Sequence, residues 1–244
     1  FFVYSEIDAT TEENIIRPLA AILRSNNYEV LPVLQTLLTS AHFYDTANRG
    51  AMIKSPLDHL IGLWRTLGMK ASDENDLALN HTIHSSMLWH MASLGLEVSD
   101  PPNVAGWPAY YQAPQFDKSW ITTSTITTRA ITSDSMIFWG FWISPDLQIN
   151  ADLLTFVKTL DHPEDPVSLI LESVLLLCGF ELTENDLNNL KTVLLSGLES
   201  DVYWTIAWNS YVNAPDNEEY KLIVENRLKA TFQRMLQSGE YQLM

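Results

Sequence analysis

DPPNVAGWPAYYQAPQFDKSWITTSTITTR, residues Asp100 to Arg129, is the stretch around which the rest of the chain is read. Four prolines (Pro101, Pro102, Pro108, Pro114) fix φ and remove backbone donors, so the segment builds neither a ladder nor a helix of its own. Four large aromatics with polar or π faces share it: Trp107, Tyr110, Tyr111 and Trp120. A loop of about 20 residues or more is uncommon in a compact domain, and an ordered one is usually functional.

On both sides of this loop the pattern is helical. Thr10 stands three residues before Glu13, a capping-box spacing, and Ile15, Ile16, Leu19 and Leu23 follow at helical intervals. Pro18 sits too deep for a first turn and predicts a kink or a later start. A second helix is expected from about Val30. Ser55-Pro56-Leu57-Asp58 combines a serine cap, proline at the first helical position and an aspartate against the positive helix end. Another helix is expected from about Asp76 to Leu94.

Beyond the loop, the run Thr122 to Thr128 is ambiguous between strand and capped helix. Phe138-Trp139-Gly140-Phe141-Trp142 is too apolar to stand alone in water. Five further helices are expected: a short one from Leu153, one from Pro166 ended by Gly179, one capped by Thr183, one carrying Trp204, Trp208 and Tyr211, and a last one stopped near Gly239. No strand-turn-strand signal recurs. The expected fold is an all-α, multi-helix single domain over 1–244 with one long ordered loop rich in proline and aromatics and little or no β structure. A subdivision into 1–145 and 146–244 is the alternative.

Composition narrows the partners. Apolar residues make up 46% and charged residues 18%, as in a globular chain rather than a disordered one. A net charge of −16 repels phosphate backbones and anionic lipid, so nucleic-acid and membrane partners are disfavoured. No apolar run approaches the roughly 20 residues of a membrane span. The single cysteine, Cys178, lies in an apolar run and reads as a small buried hydrophobe. The start, Phe1-Phe2-Val3, reads as a point inside a longer polypeptide, whose N-terminal region would then be a partner of this part.

Pro101-Pro102-Asn103-Val104-Ala105-Gly106-Trp107-Pro108, followed by Trp120-Ile121-Thr122 and Arg129, resembles the bacterial family called domain of unknown function 1800. Ser40-Ala41-His42-Phe43-Tyr44-Asp45 and Ile53-Lys54-Ser55-Pro56 resemble that family's preceding block, in the family's order. The specific likeness covers about Val30 to Arg129. The resemblance implies a helical, exported protein and hence an extracytoplasmic location, but no chemistry. Four positions depart from the pattern: Leu96 stands for a glutamine, Ala109-Tyr110 for a glycine pair, and Thr122 for an asparagine.

Several residues are candidates for a site. Trp107, Tyr110, Tyr111 and Trp120 either plug the loop onto the helices or form a platform for sugar rings or a partner peptide. Lys54 and Arg129, the cations of the resembling motifs, and Asn103 are candidate clamps of the loop, because a guanidinium fork satisfies carbonyls where no ladder exists. Asp100 and Asp117 bracket the loop and, with His84 and Arg129, form the candidate set for a hydrolase acting on carbohydrate or peptide. His81 and His84 share a helical face, but no HExxH or further ligand accompanies them, so no metal and no cofactor is expected. The leading expectation is a binding or assembly module that recognises a glycan or another exported protein; the hydrolase is the alternative.

Overall fold

A computed structural model describes residues 2–4, 7–70, 75–107, 117–179 and 181–244. The protein is mostly α-helical. Near the start, α1 (Ala9–Thr11) runs through a π turn (Glu12–Ile16) into α2 (Arg17–Ser25), followed by α3 (Val30–Leu38). The π turn stands just before Pro18 and is where the helix accommodates the missing proline donor. None of the described residues in these elements is buried, so this pair adds little to the core.

The body begins at α4 (Pro56–Thr66). Ser55 caps it: its hydroxyl accepts from the Asp58 amide at 3.2 Å, and the Asp58 carboxylate accepts from the Ser55 amide at 3.2 Å. Helix α5 (Leu77–Ser93) follows, capped by Asp76, and buries Ile83, Met87 and Met91. Thr122 caps α6 (Thr123–Asp134) with Thr125 as reciprocal partner, which settles the threonine run as helix. Here local hydroxyl capping outweighs the strand propensity of threonine.

The aromatic run then forms a small hairpin, β1 (Phe141–Ser144) with β2 (Leu147–Ile149), antiparallel with Trp142 opposite Gln148. Its alternation turns Phe141 and Ile143 inward and Trp142 outward. Gly140 joins α6 and its terminal π turn to β1 at φ 97°, a left-handed conformation that a side chain resists.

The remaining helices are α7 (Leu153–Val157), α8 (Pro166–Cys178), α9 (Glu184–Leu194), α10 (Val202–Asn213) and α11 (Glu218–Leu236). Helix α11 packs against α6, α7, α9 and α10. Its Val224, Leu228, Phe232 and Leu236 are fully buried, and Phe232 meets Phe156 edge-on at 5.7 Å. Trp204 stacks on Trp208 at 5.9 Å and donates from Nε1 to the Pro163 carbonyl at 2.8 Å, so this aromatic group is core. One apolar core runs from Leu60 to Tyr241 and draws residues from both sides of position 145. Among the described residues, no helix is long and apolar enough to cross a membrane.

Two glycine substitutions test this packing. A Cβ at Gly140 would stand 2.8 Å from Gln148 Cβ and 2.9 Å from Asn150 Oδ1, so Gly140→Ala should cost about 1–3 kcal/mol. Gly62, inside α4, has open space around it, so Gly62→Ala should add about 0.5–1 kcal/mol by helix propensity. Urea denaturation of the two variants should move the midpoint in opposite directions.

Candidate functional site

Residues 52–54 gather distant parts of the chain. Ile53 pairs with Leu243 in an isolated antiparallel bridge, the Lys54 amide donates to the Gln242 carbonyl at 2.8 Å, and the Met244 amide to the Met52 carbonyl at 2.8 Å. A guanidinium locks this pairing. Arg129, on α6, is 0% exposed; its Nη2 donates to the Lys54 carbonyl at 2.7 Å and its Nη1 to Gln242 Oε1 at 3.3 Å. Nε is buried without a hydrogen bond. Burial lowers the pKa of Arg129 to about 10, against the pull of Tyr241 and Asp58, so it stays charged at neutral pH.

The second cation is held differently. Lys54 Nζ donates to the Leu177 carbonyl at the end of α8, at 2.9 Å, and lies 3.9 Å from the centre of the Tyr241 ring. A cation at a helix C-terminus is favourably placed against the exposed carbonyls. Burial nevertheless depresses its pKa to about 8, opposed by Cys178 and Asp58. Burial likewise pushes the Cys178 thiol up to about 11, which leaves it an inert apolar group.

His59 packs against Tyr241 with rings 5.4 Å apart and makes no side-chain hydrogen bond of ordinary geometry. Burial, with the nearby Arg129 and Lys54 charges, drives its pKa down to about 3 against the effect of the Arg129 backbone, so it is a neutral core aromatic. The Tyr241 hydroxyl donates to the His59 carbonyl at 3.2 Å, and burial raises its pKa.

The loop reaches this hub through its C-terminal end. The buried Asp117 carboxylate accepts from the Ile53 amide at 3.4 Å, and the Trp120 carbonyl accepts from the Thr125 hydroxyl at 3.0 Å in the first turn of α6. Trp120 is buried at 5% exposure and plugs the loop onto the body. Trp107 leans on it, ring centres 6.4 Å apart and tilted by 49°, and is itself half-buried. Tyr110 and Tyr111, with Pro108 and Pro114, lie outside the described residues. Asn103 is exposed and bonds within the loop, its side chain accepting from the Ala105 amide at 2.9 Å, which shapes a local turn rather than a contact with the helices.

Between the loop and the end of α5 lies an open groove of about 620 Å³. Trp107 and Trp120 form its aromatic wall, Pro101 and Pro102 extend it, and Ser119, Glu97 and Asp100 supply polar groups. The Asp100 amide donates to the Glu97 carbonyl at 3.1 Å, so both carboxylates stand on one turn. Of the four hydrolase candidates, Asp100 alone lines the groove. Asp117 and Arg129 are buried in the hub, and His84 is exposed on α5. A smaller cavity of about 260 Å³ lies between α8, α9 and α11 beside Cys178, but its cysteine is inert and none of the described loop residues lines it. Among the described residues, no group of three or more potential ligands stands together to hold a metal ion.

The architecture is thus that of a helical domain presenting a loop-walled aromatic groove. A family model described as "Protein of unknown function (DUF1800)" matches residues 1–243, essentially the whole chain, and the chain belongs to that family. The match extends on both sides beyond the motifs in residues 30–129. No curated protein and no solved structure matches the chain.

Other important residues carry weaker signals. Gln242 and Tyr241 complete the hub from the far end of the chain, and nothing local in Glu240-Tyr241-Gln242-Leu243-Met244 marks them as partners of Arg129. Trp89, Trp139 and Trp142 are each about half or more exposed. A signal for two of them was available: Trp89 is out of phase with the buried Ile83, Met87 and Met91, and Trp142 follows the buried Phe141 in a period of two.

The neutral burial of His59 has a pH consequence. Its folded pKa lies below the unfolded value, so the unfolded chain takes up a proton between about pH 6.5 and pH 3 while the folded chain does not. Stability from this residue is therefore present above pH 6.5 and lost on acidification through that window. His59→Phe should remove this share, worth on the order of a few kcal/mol by pH 4. The check is the stability difference between wild type and variant measured across pH 4–7.

Proposed function

We propose that this domain is a non-enzymatic binding module for a glycan, working outside the cytoplasm, with the loop groove as its recognition surface. The observation that carries the reading is the half-buried Trp107 ring facing an open groove beside Ser119, Glu97 and Asp100. A fixed aromatic face suits the apolar C–H face of a pyranose ring, and carboxylate and hydroxyl groups on the rim suit its hydroxyls. Burying Trp120 and anchoring Asp117 hold that face still, so little side-chain freedom is lost when a ligand binds. The resemblance to exported proteins motivates the location.

Hydrolysis is less well supported by the same groove. A glycosidase needs two carboxyl groups flanking the scissile bond, about 5–9.5 Å apart. Glu97 and Asp100 share one turn and hence one wall, and the other candidate acid, Asp117, is buried and bonded to backbone. A protein partner remains the competing class, distinguished by the same experiment.

Native gels containing neutral polysaccharides (hydroxyethylcellulose, xyloglucan, galactomannan, dextran) are a direct check, because the strongly acidic chain migrates toward the anode and is retarded by what it binds. At least one polysaccharide should retard the wild type, and Trp107→Ala should weaken that binding about tenfold or more with an unchanged melting profile. No retardation by any of them, or equal retardation of wild type and Trp107→Ala, would count against the reading.

A further inference from the structure

Helix α5 links the groove to a second surface. Ala92, near its C-terminal end, lines the groove, and Trp89, three residues earlier, lies on the same helical face. With Ile83, Met87 and Met91 turned into the core, Trp89 stands outward at 64% exposure. Its ring meets the His90 ring edge-on at 5.0 Å. His90 and Ser86 in turn hold the carbonyl of Trp142 through contacts of 3.3 Å (Nε2) and 2.9 Å (Oγ). The Trp142 ring, on the outward face of β1, is 49% exposed.

Trp142 has Gln148 opposite it across the hairpin, and the Gln148 and Asn150 side chains converge over Gly140 on that outward face. The surface therefore alternates rings with neutral amide and hydroxyl groups. The two segments that build it are nearly free of charge: residues 77–96 contain no Asp, Glu, Lys or Arg, and residues 135–150 contain only Asp146, in a chain with 30 acidic residues. Burial lowers the pKa of His90, against the pull of the Trp142 carbonyl, so the imidazole adds no charge at neutral pH. A neutral ligand loses no ionic hydration on such a face, whereas an ionic one would find no partner there.

We propose that Trp89 and Trp142 form a second contact for the same glycan, so that a neutral polysaccharide chain lies along α5 from the Trp107 groove to the outward face of the hairpin. The proposal rests on the glycan-binding reading of the groove and adds the ligand class: an extended, uncharged polymer rather than a terminal sugar or a charged one. Two ring platforms beside one helix act on one chain as linked sites, so affinity rises with ligand length once both are spanned.

The experiment uses the full chain, the polysaccharide that retards it most strongly in native gels, and that polymer's own disaccharide and hexasaccharide in isothermal titration. Trp89→Ala and Trp142→Ala should each weaken polymer and hexasaccharide binding about tenfold, or about 1.4 kcal/mol, and leave the disaccharide unchanged. Gln148→Ala, which leaves both rings in place, should weaken the polymer by a smaller factor. Trp107→Ala should weaken all three ligands. Wild-type polymer binding in Trp89→Ala and Trp142→Ala, with loss in Trp107→Ala, overturns the extended track and leaves the groove. Failure of the wild type to bind any neutral polysaccharide overturns both. A dimer in sedimentation velocity that Trp89→Ala and Trp142→Ala dissociate would make this face a self-contact, and it too overturns the track.

Discussion

A positive charge with no access to water is the constraint on which this structure depends. Arg129 is fully buried, and its two terminal nitrogens are satisfied by a backbone carbonyl and a side-chain amide. Taking an ion out of water costs several kcal/mol even after relaxation, so the oxygens facing it are not interchangeable with apolar neighbours. They also come from places far apart in the chain, Lys54 and Gln242. Keeping both aimed at the guanidinium fixes the bridge between residues 52–54 and the last residues of the chain. Lys54 repeats the device on a smaller scale, with the Leu177 carbonyl of α8 and the Tyr241 ring as its partners.

This hub gives the proline-rich loop something to stand on. A segment without a ladder must place its backbone groups on partners outside itself. A side chain ties the loop down as well: the Asp117 carboxylate accepts from the amide of Ile53, within the segment that Arg129 clamps, and Trp120 is buried three residues on. Among the described residues, Trp107 and Trp120 line the groove along the end of α5. Trp107 is half-buried on a supported base; in the proposed binding role that support matters, because a mobile aromatic would give up part of its contact energy in ordering. The same helix carries the exposed Trp89, and its Ser86 and His90 hold the carbonyl of Trp142 on the hairpin, so groove and hairpin share one rigid element.

Much of the fold was legible because capping and periodicity are local. Ser55-Pro56, Asp165-Pro166 and Thr183 start helices where their chemistry says they should, and Gly179 ends one. The threonine run was ambiguous, since the same residues favour strands and cap helices; capping of α6 by Thr122 decided it. Lys54 and Arg129 could be picked out in the sequence as the cations of the family's motifs. The oxygens they hold could not, because Gln242 is 113 residues from Arg129 and Leu177 is 123 from Lys54. The aromatic group divided in a way composition does not reveal: Trp120 became a plug and Trp107 a wall. The aromatic run through Trp142 read as wholly apolar, yet strand phase turns Trp142 outward, as helical phase does Trp89.

Hydrogen exchange at the amides of Ile53, Lys54 and Met244, in wild type and Arg129→Met, tests the central claim most directly. These amides donate to Asp117, Gln242 and Met52 respectively, and none bonds to the guanidinium itself. If the buried charge organises the hub, all three should lose protection together in Arg129→Met, while amides in the core of α11 keep theirs. Protection unchanged at all three would show that the strand pairing and the loop anchor stand without the guanidinium, and would contradict the account.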